Sequence, residues 1–117
     1  MTTPVISLYP DIDKVPWVER RPGVFWKTLW EDADGRHKAV LIRYTPGSVI
    51  ARHRHIGDEQ IWVLEGMIEI TVGGECYQLH EGDCLAMQLD RPTIFHNRTR
   101  KLARYAVVIA TEHSTRR

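Results

Sequence analysis

GSVIARHRHIGDEQIWVLEG, running from Gly47 to Gly66, is the stretch on which the reading of this chain turns. His53 and His55 are two residues apart, which in an extended backbone puts both imidazoles on one face of a strand. Glu59 follows after Ile56, Gly57 and Asp58, a spacing that suits a tight turn, with Gly57 free to adopt a positive φ. Two imidazoles and one carboxylate then converge from one side. Such a donor set suits a divalent transition metal, Fe, Mn, Ni, Cu or Zn. Three protein ligands leave coordination positions open for water, substrate or dioxygen. The competing reading is an exposed histidine pair in a basic loop.

Gly47 lies six residues before His53 and Gly66 seven after Glu59, so the segment fits G-x5-H-x-H-x3-E-x6-G at every fixed position. In this it resembles the first motif of the cupins. The resemblance implies an all-β fold, a cupin-type double-stranded β-helix or jelly-roll barrel. It also implies a metal held inside by His53, His55 and Glu59, with a further histidine from a second motif, G-x5-P-x-G-x2-H-x3-N. That second motif starts at Gly82 and ends at Asn97, but Thr93 stands where its histidine should be and Gln88 where its proline should be. Two alignments compete. In the strict one Thr93, Phe95 and Asn97 face the interior and His96 faces away, leaving three protein ligands. In the slipped one a bulge or a longer loop at Asp90-Arg91-Pro92 turns the chain so that His96 enters as fourth ligand. The expected metal set is therefore His53, His55, Glu59 and His96, the last requiring a backbone irregularity.

A length of 117 residues fits one domain with a single core. Residues 1–14, with two prolines and no periodicity, are expected to form an N-terminal arm over the barrel or over a neighbouring subunit; residues 15–117 are expected to form the barrel. Sixteen Lys plus Arg against fifteen Asp plus Glu leave a net charge of +1, not the basic field that drives nucleic-acid binding. No apolar run approaches membrane-spanning length and no basic region precedes an apolar core at the start. A cytoplasmic protein without nucleic-acid or membrane partners is the expectation. Cys76 and Cys84 are too few and too irregularly placed for a disulfide framework, so reduced thiols are expected.

Strand character recurs along the chain. Val24–Leu29 and Lys38–Tyr44 flank an Asp34-Gly35 hairpin turn, Gln60–Leu64 and Met67–Val72 form a meander, and Cys84–Leu89, Ile94–Asn97 and Arg104–Thr111 follow. Eight or nine short strands at regular spacing, without helical periodicity, imply a two-sheet or closed β-barrel independently of family. Alternation puts Glu59, Ile61 and Val63 on one face of their strand and Trp62 and Leu64 on the other. If Glu59 points inward, Trp62 and Leu64 need cover, from the N-terminal arm or from a second copy of the chain, and a homodimer is the expected assembly.

Arg43, inside the apolar run VLIRY, and Thr93 are the candidate substrate-binding residues. Arg43 is expected either to reach the interior and bind a carboxylate bidentately, or to sit at the rim with its stem on the sheet. Tyr44 and Tyr105 are candidate cavity donors, and Cys84 lines the cavity or is a buried inert thiol. His37, His80 and His113 fall in turn or tail contexts and are expected to be solvated. No side chain stands out as a general base. The resemblance leaves two functions open. One is a metal-dependent enzyme of dioxygenase or isomerase type acting on a small oxygenated molecule. The other is a ligand- or metal-sensing module, since HRHIGDEQIWVLEG is similar to the cupin domain of zinc-binding anti-sigma factors.

Overall fold

Two-residue periodicity governs the chain, and the computed structural model, which describes residues 11–52, 57–88 and 91–111, is built from antiparallel strands. In chain order they are β1 (Val18–Arg21), β2 (Val24–Glu31), β3 (His37–Tyr44), β4 (Val49–Arg52) and β5 (Asp58–Glu65), then β6 (Met67–Val72), β7 (Glu75–His80), β8 (Cys84–Met87), β9 (Thr93–His96) and β10 (Ala103–Ala110). One sheet has the order β1-β2-β3-β10-β5-β8 and the other β4-β9-β6-β7. This is the jelly-roll arrangement of the expected all-β class. A short 3-10 turn at Ile12–Lys14 precedes the strands, and among the described residues no helix is long and apolar enough to cross a membrane.

The core lies between the sheets because each strand turns one apolar row inward. On β5, Glu59, Ile61 and Val63 are 6%, 0% and 3% exposed, whereas Trp62 and Leu64 on the other face are 38% and 45% exposed. The alternation read from the sequence is therefore the alternation of the fold. Opposite them Ile68 and Ile70 of β6 and Phe95 of β9 are fully buried. The β10 strand, with the run YAVVIA, is paired on both sides, by β3 and by β5, so it is the structural centre of the larger sheet.

β1 is not legible as a strand from its sequence, Val-Glu-Arg-Arg, because all four residues are exposed and no apolar alternation marks it. It is held by pairing with β2, Val18 opposite Trp26 and Glu19 opposite Phe25, with an irregularity between Glu19 and Arg21. The expected hairpin is present between β2 and β3. Gly35 takes φ 72° there, and Asp32 caps the turn by accepting from the backbone N–H of Arg36 and His37. The His37 ring also meets Asp32 at 2.8 Å, which holds the Asp32 carboxyl below its usual range. His37 keeps 44% of its side chain exposed, so it is solvated as expected but is also tied to Asp32.

Two motif residues turn out to be architectural. Asn97 is fully buried; its amide donates to the Tyr44 carbonyl at 3.0 Å and to the Lys101 carbonyl at 2.8 Å, and its Oδ1 accepts from the Thr99 N–H and hydroxyl. It thereby ties the end of β9 in one sheet to the end of β3 in the other. Gly66, between β5 and β6, has φ 74°, and a Cβ there would run into the Leu102 carbonyl.

The outer face of the larger sheet is partly covered by the N-terminal segment. Lys27, 2% exposed, donates from Nζ to the Ile12 carbonyl at 2.8 Å and lies 4.4 Å from the centre of the Trp17 ring. The Arg43 guanidinium is stacked between Trp17 at 4.6 Å and Phe25 at 4.7 Å. Residues 11–17 thus lie on the barrel wall itself; the rest of the expected arm, residues 1–10, is outside the described residues.

Candidate functional site

Between the sheets lies a cavity of about 400 Å³, within the usual range for small-molecule sites. Its apolar wall includes Trp26, Ile42, Phe95, Val107 and Ile109, each carried inward by strand alternation. Glu59 is its only carboxylate among the described lining residues. The Arg52 Nη1 donates to Glu59 Oε2 at 3.1 Å, and the same guanidinium lies 5.0 Å from the centre of the Phe95 ring. Arg52 keeps 28% side-chain exposure against 8% for Glu59, so the cation is the wetter partner and the carboxylate the buried one.

Deeper in the wall Tyr44 and Tyr105 share a hydroxyl–hydroxyl hydrogen bond of 3.1 Å, their rings 5.7 Å apart. Burial pushes both phenols well above the usual tyrosine range. They remain neutral around neutral pH and serve as hydrogen-bonding groups rather than as a proton-abstracting base. The expectation of a tyrosine pair in the cavity region thus acquires a geometry.

The structure distributes the expected site residues unevenly. Glu59 faces the cavity. His53 and His55 lie outside the described residues, immediately after Arg52, the last residue of β4. Among the described residues no three His, Cys, Asp or Glu side chains converge on a metal position. The described part of the donor set is compatible with a cation: Glu59 is a buried carboxylate that lines the cavity. A cation at Glu59 would take over the counter-charge that Arg52 now supplies. Thr93 is fully buried and faces inward, opposite Arg52 in the β4–β9 register, with its Oγ1 lacking a hydrogen-bond partner.

Three expectations are corrected. Entry of His96 as a ligand required a break in β9, yet β9 pairs without irregularity with both β4 and β6, and its burial alternates. Thr93 and Phe95 point inward and His96 outward, opposite Glu69. Strict two-residue parity wins, and the slipped alignment does not apply to this strand. Arg43 likewise does not reach the interior. It shares the outer face of β3 with Leu41, while Ile42 and Tyr44 take the inner face, and aromatic stacking under the N-terminal segment holds it there. Cys84 is exposed, neither cavity-lining nor a buried thiol, and Cys76 is also exposed and free.

Four cationic residues of the lining escaped the sequence reading: Arg20, Arg21, Lys38 and Arg52. Arg52 carried a usable signal, since it lies two residues from the apolar Ile50 on the same strand face. The Arg20-Arg21 pair carried none, because only the β1 irregularity brings both neighbours to the cavity mouth.

A family model for the ChrR cupin-like domain matches residues 7–113. The chain is a cupin of this family. None of the curated proteins matches it. Among solved structures, this cupin is similar to an RmlC-like cupin from Shewanella frigidimarina, at 16% identity and TM-score 0.76 over 96% of each chain. It is also similar to the cupin domain of an XRE family transcriptional regulator from Enterobacter cloacae, with 19% identity, TM-score 0.70, 77% of this chain and 98% of that one. A third is KdgF from Halomonas sp., with 20% identity, TM-score 0.67, 85% of this chain and 89% of that one. At these identities the likeness is one of fold.

Proposed function

We propose that this cupin binds a divalent transition metal, one of Fe, Mn, Ni, Cu or Zn, through His53, His55 and Glu59, and that it acts as a metal-dependent enzyme of dioxygenase or isomerase type on a small oxygenated molecule. The observation that carries the reading is the placement of Glu59, a buried carboxylate at the wall of an open cavity with room for a small molecule. A sealed interior would have favoured a purely structural metal. When bound, the metal would supply polarisation of a substrate oxygen or activation of water or dioxygen. The chain's own residues do the rest: Trp26, Ile42, Phe95 and Val107 exclude bulk water, and the hydroxyls of Tyr44 and Tyr105 remain protonated. With His96 turned outward and a neutral hydroxyl at Thr93, the set is two histidines and one carboxylate, which leaves positions open for substrate.

A second reading, a ligand- or metal-sensing module in a cytoplasmic setting, is favoured by the ChrR cupin-like match and by the regulator cupin among the similar structures. Under either reading the exposed row of Trp62, Leu64 and Val108 is assigned to a homodimer contact.

Elemental analysis of protein purified without chelators tests the metal. About one equivalent per chain is expected, with loss of it in the His53→Ala/His55→Ala double variant while the β-sheet circular dichroism is kept; full retention by that variant would defeat the assignment. Oxygen uptake with small diketones, thiols and hydroxy acids separates enzyme from sensor, since a sensor consumes none.

A further inference from the structure

We infer that the cavity mouth selects a small organic anion, a carboxylate joined to a flat apolar body. The inference rests on the reading that this cavity is the ligand site, but not on the metal.

Charge is the first ground. Among the described residues, Arg20, Arg21, Lys38 and Arg52 line the cavity against a single carboxylate, Glu59. Arg52 is engaged by Glu59 at 3.1 Å, and Lys38 lies 3.7 Å from Glu31. Arg20 and Arg21 have no carboxylate partner among the described residues; Arg21 reaches only the Arg20 carbonyl at 3.4 Å, and Arg20 lies 5.2 Å from the centre of the Trp26 ring. The neighbouring carboxylate, Glu19, accepts from the Gly23 N–H instead. Two guanidinium groups therefore stand at the mouth with free donors, in the fork geometry that a carboxylate matches.

The second ground is a donor without an acceptor. Trp26 is part of the lining, and its indole N–H is buried with no hydrogen-bond partner. A buried N–H left unpaired is costly, and a turn of the indole toward the cavity on binding would bring it to an oxygen of the anion. Behind it the wall is apolar and aromatic, with Ile42, Phe95, Val107 and Ile109. A purely mineral anion would leave that wall wet, whereas a flat apolar body would cover it.

The local cause is the β1 irregularity. In a regular strand Arg20 and Arg21 would face opposite ways; the register shift between Glu19 and Arg21 adds one residue to β1, and both arginines come to the cavity.

Calorimetry with benzoate, benzamide and acetate, on metal-stripped and on zinc-loaded protein, tests the inference. Benzoate is expected to bind the metal-stripped protein about tenfold more tightly than benzamide, which lacks the charge, and than acetate, which lacks the body. Its affinity should fall with added salt, and Arg20→Gln/Arg21→Gln should lower it about tenfold with benzamide unaffected. The ¹⁵N-indole signal of Trp26, identified by its loss in Trp26→Phe, should shift with benzoate. Equal binding of benzoate and benzamide overturns the inference, as does benzoate binding seen only with zinc and indifferent to the arginine substitutions. Failure of the metal reading looks different: wild-type protein holds no metal and still discriminates benzoate from benzamide.

Discussion

Arg52 and Glu59, seven residues apart in sequence, meet at 3.1 Å across the cavity, one from the four-stranded sheet and the other from the six-stranded sheet. The pair is thus a link between sheets as well as one of the charged features of the cavity. Its asymmetry of burial decides what its loss should do.

Removing the guanidinium strands a nearly buried carboxylate, whereas removing the carboxylate leaves a cation that still reaches water. Arg52→Ala should therefore destabilise the protein by about 1–3 kcal/mol in urea unfolding, more than Glu59→Gln does. Zinc should reduce the Arg52→Ala loss, because a cation at Glu59 replaces the missing charge. Equal losses for the two variants would contradict this account of the pair.

The tyrosine pair sets an alkaline limit. Burial raises both phenol pKa values in the folded state above the unfolded value of about 10, so the stabilisation is intact below about pH 10 and is lost as pH rises through the folded values. Absorbance at the phenolate band should show these two of the four tyrosines ionising only with unfolding. Tyr44→Phe/Tyr105→Phe should flatten the fall of stability above about pH 10. Titration of all four tyrosines in the folded protein at about pH 10 would refute the buried placement.

Asn97 makes its bonds to three separate backbone groups and one hydroxyl with no exposure to water. Asn97→Ala leaves several of those groups unpaired at the junction of the sheets and should cost about 2–4 kcal/mol. Asn97→Asp should be damaging as well, since a carboxylate cannot donate to the Tyr44 and Lys101 carbonyls. Metal content per folded molecule should be unchanged in both, which separates a structural Asn97 from a ligand.

Trp62 stands outward on β5, opposite Ala106 of β10 and Cys84 of β8, with Leu64 and Val108 nearby. Trp62→Glu should shift the protein from dimer to monomer in sedimentation without lowering its melting temperature by more than a few degrees. A wild-type protein that sediments as a monomer at all concentrations would remove the dimer from the proposal.

How far the sequence could be read depended on whether a residue obeyed strand parity. Glu59, Ile61, Val63, Thr93, Phe95 and Asn97 face inward as their spacing dictates, because one slip would expose a whole apolar row. His96 tempted a different reading only because a ligand was missing at Thr93; an unbroken ladder on both sides fixes its outward direction. Arg43 illustrates a different limit. Its inner or outer placement was open at the level of sequence, and the aromatic pair that holds it, Trp17 and Phe25, lies far away in the chain. Arg20 and Arg21 were out of reach for a third reason: an irregularity in one short edge strand has no composition signal of its own.

Trp17 occupies one side of the larger sheet and Arg20-Arg21 the other, three to four residues further along the same short segment. Among the described residues β1 is an edge strand with β2 as its sole ladder partner. The indole clasped on the outside by Lys27 and Arg43 therefore holds the start of the segment that carries the two arginines inside. Loosening that clasp from the exterior would widen the doorway without touching a single residue within it.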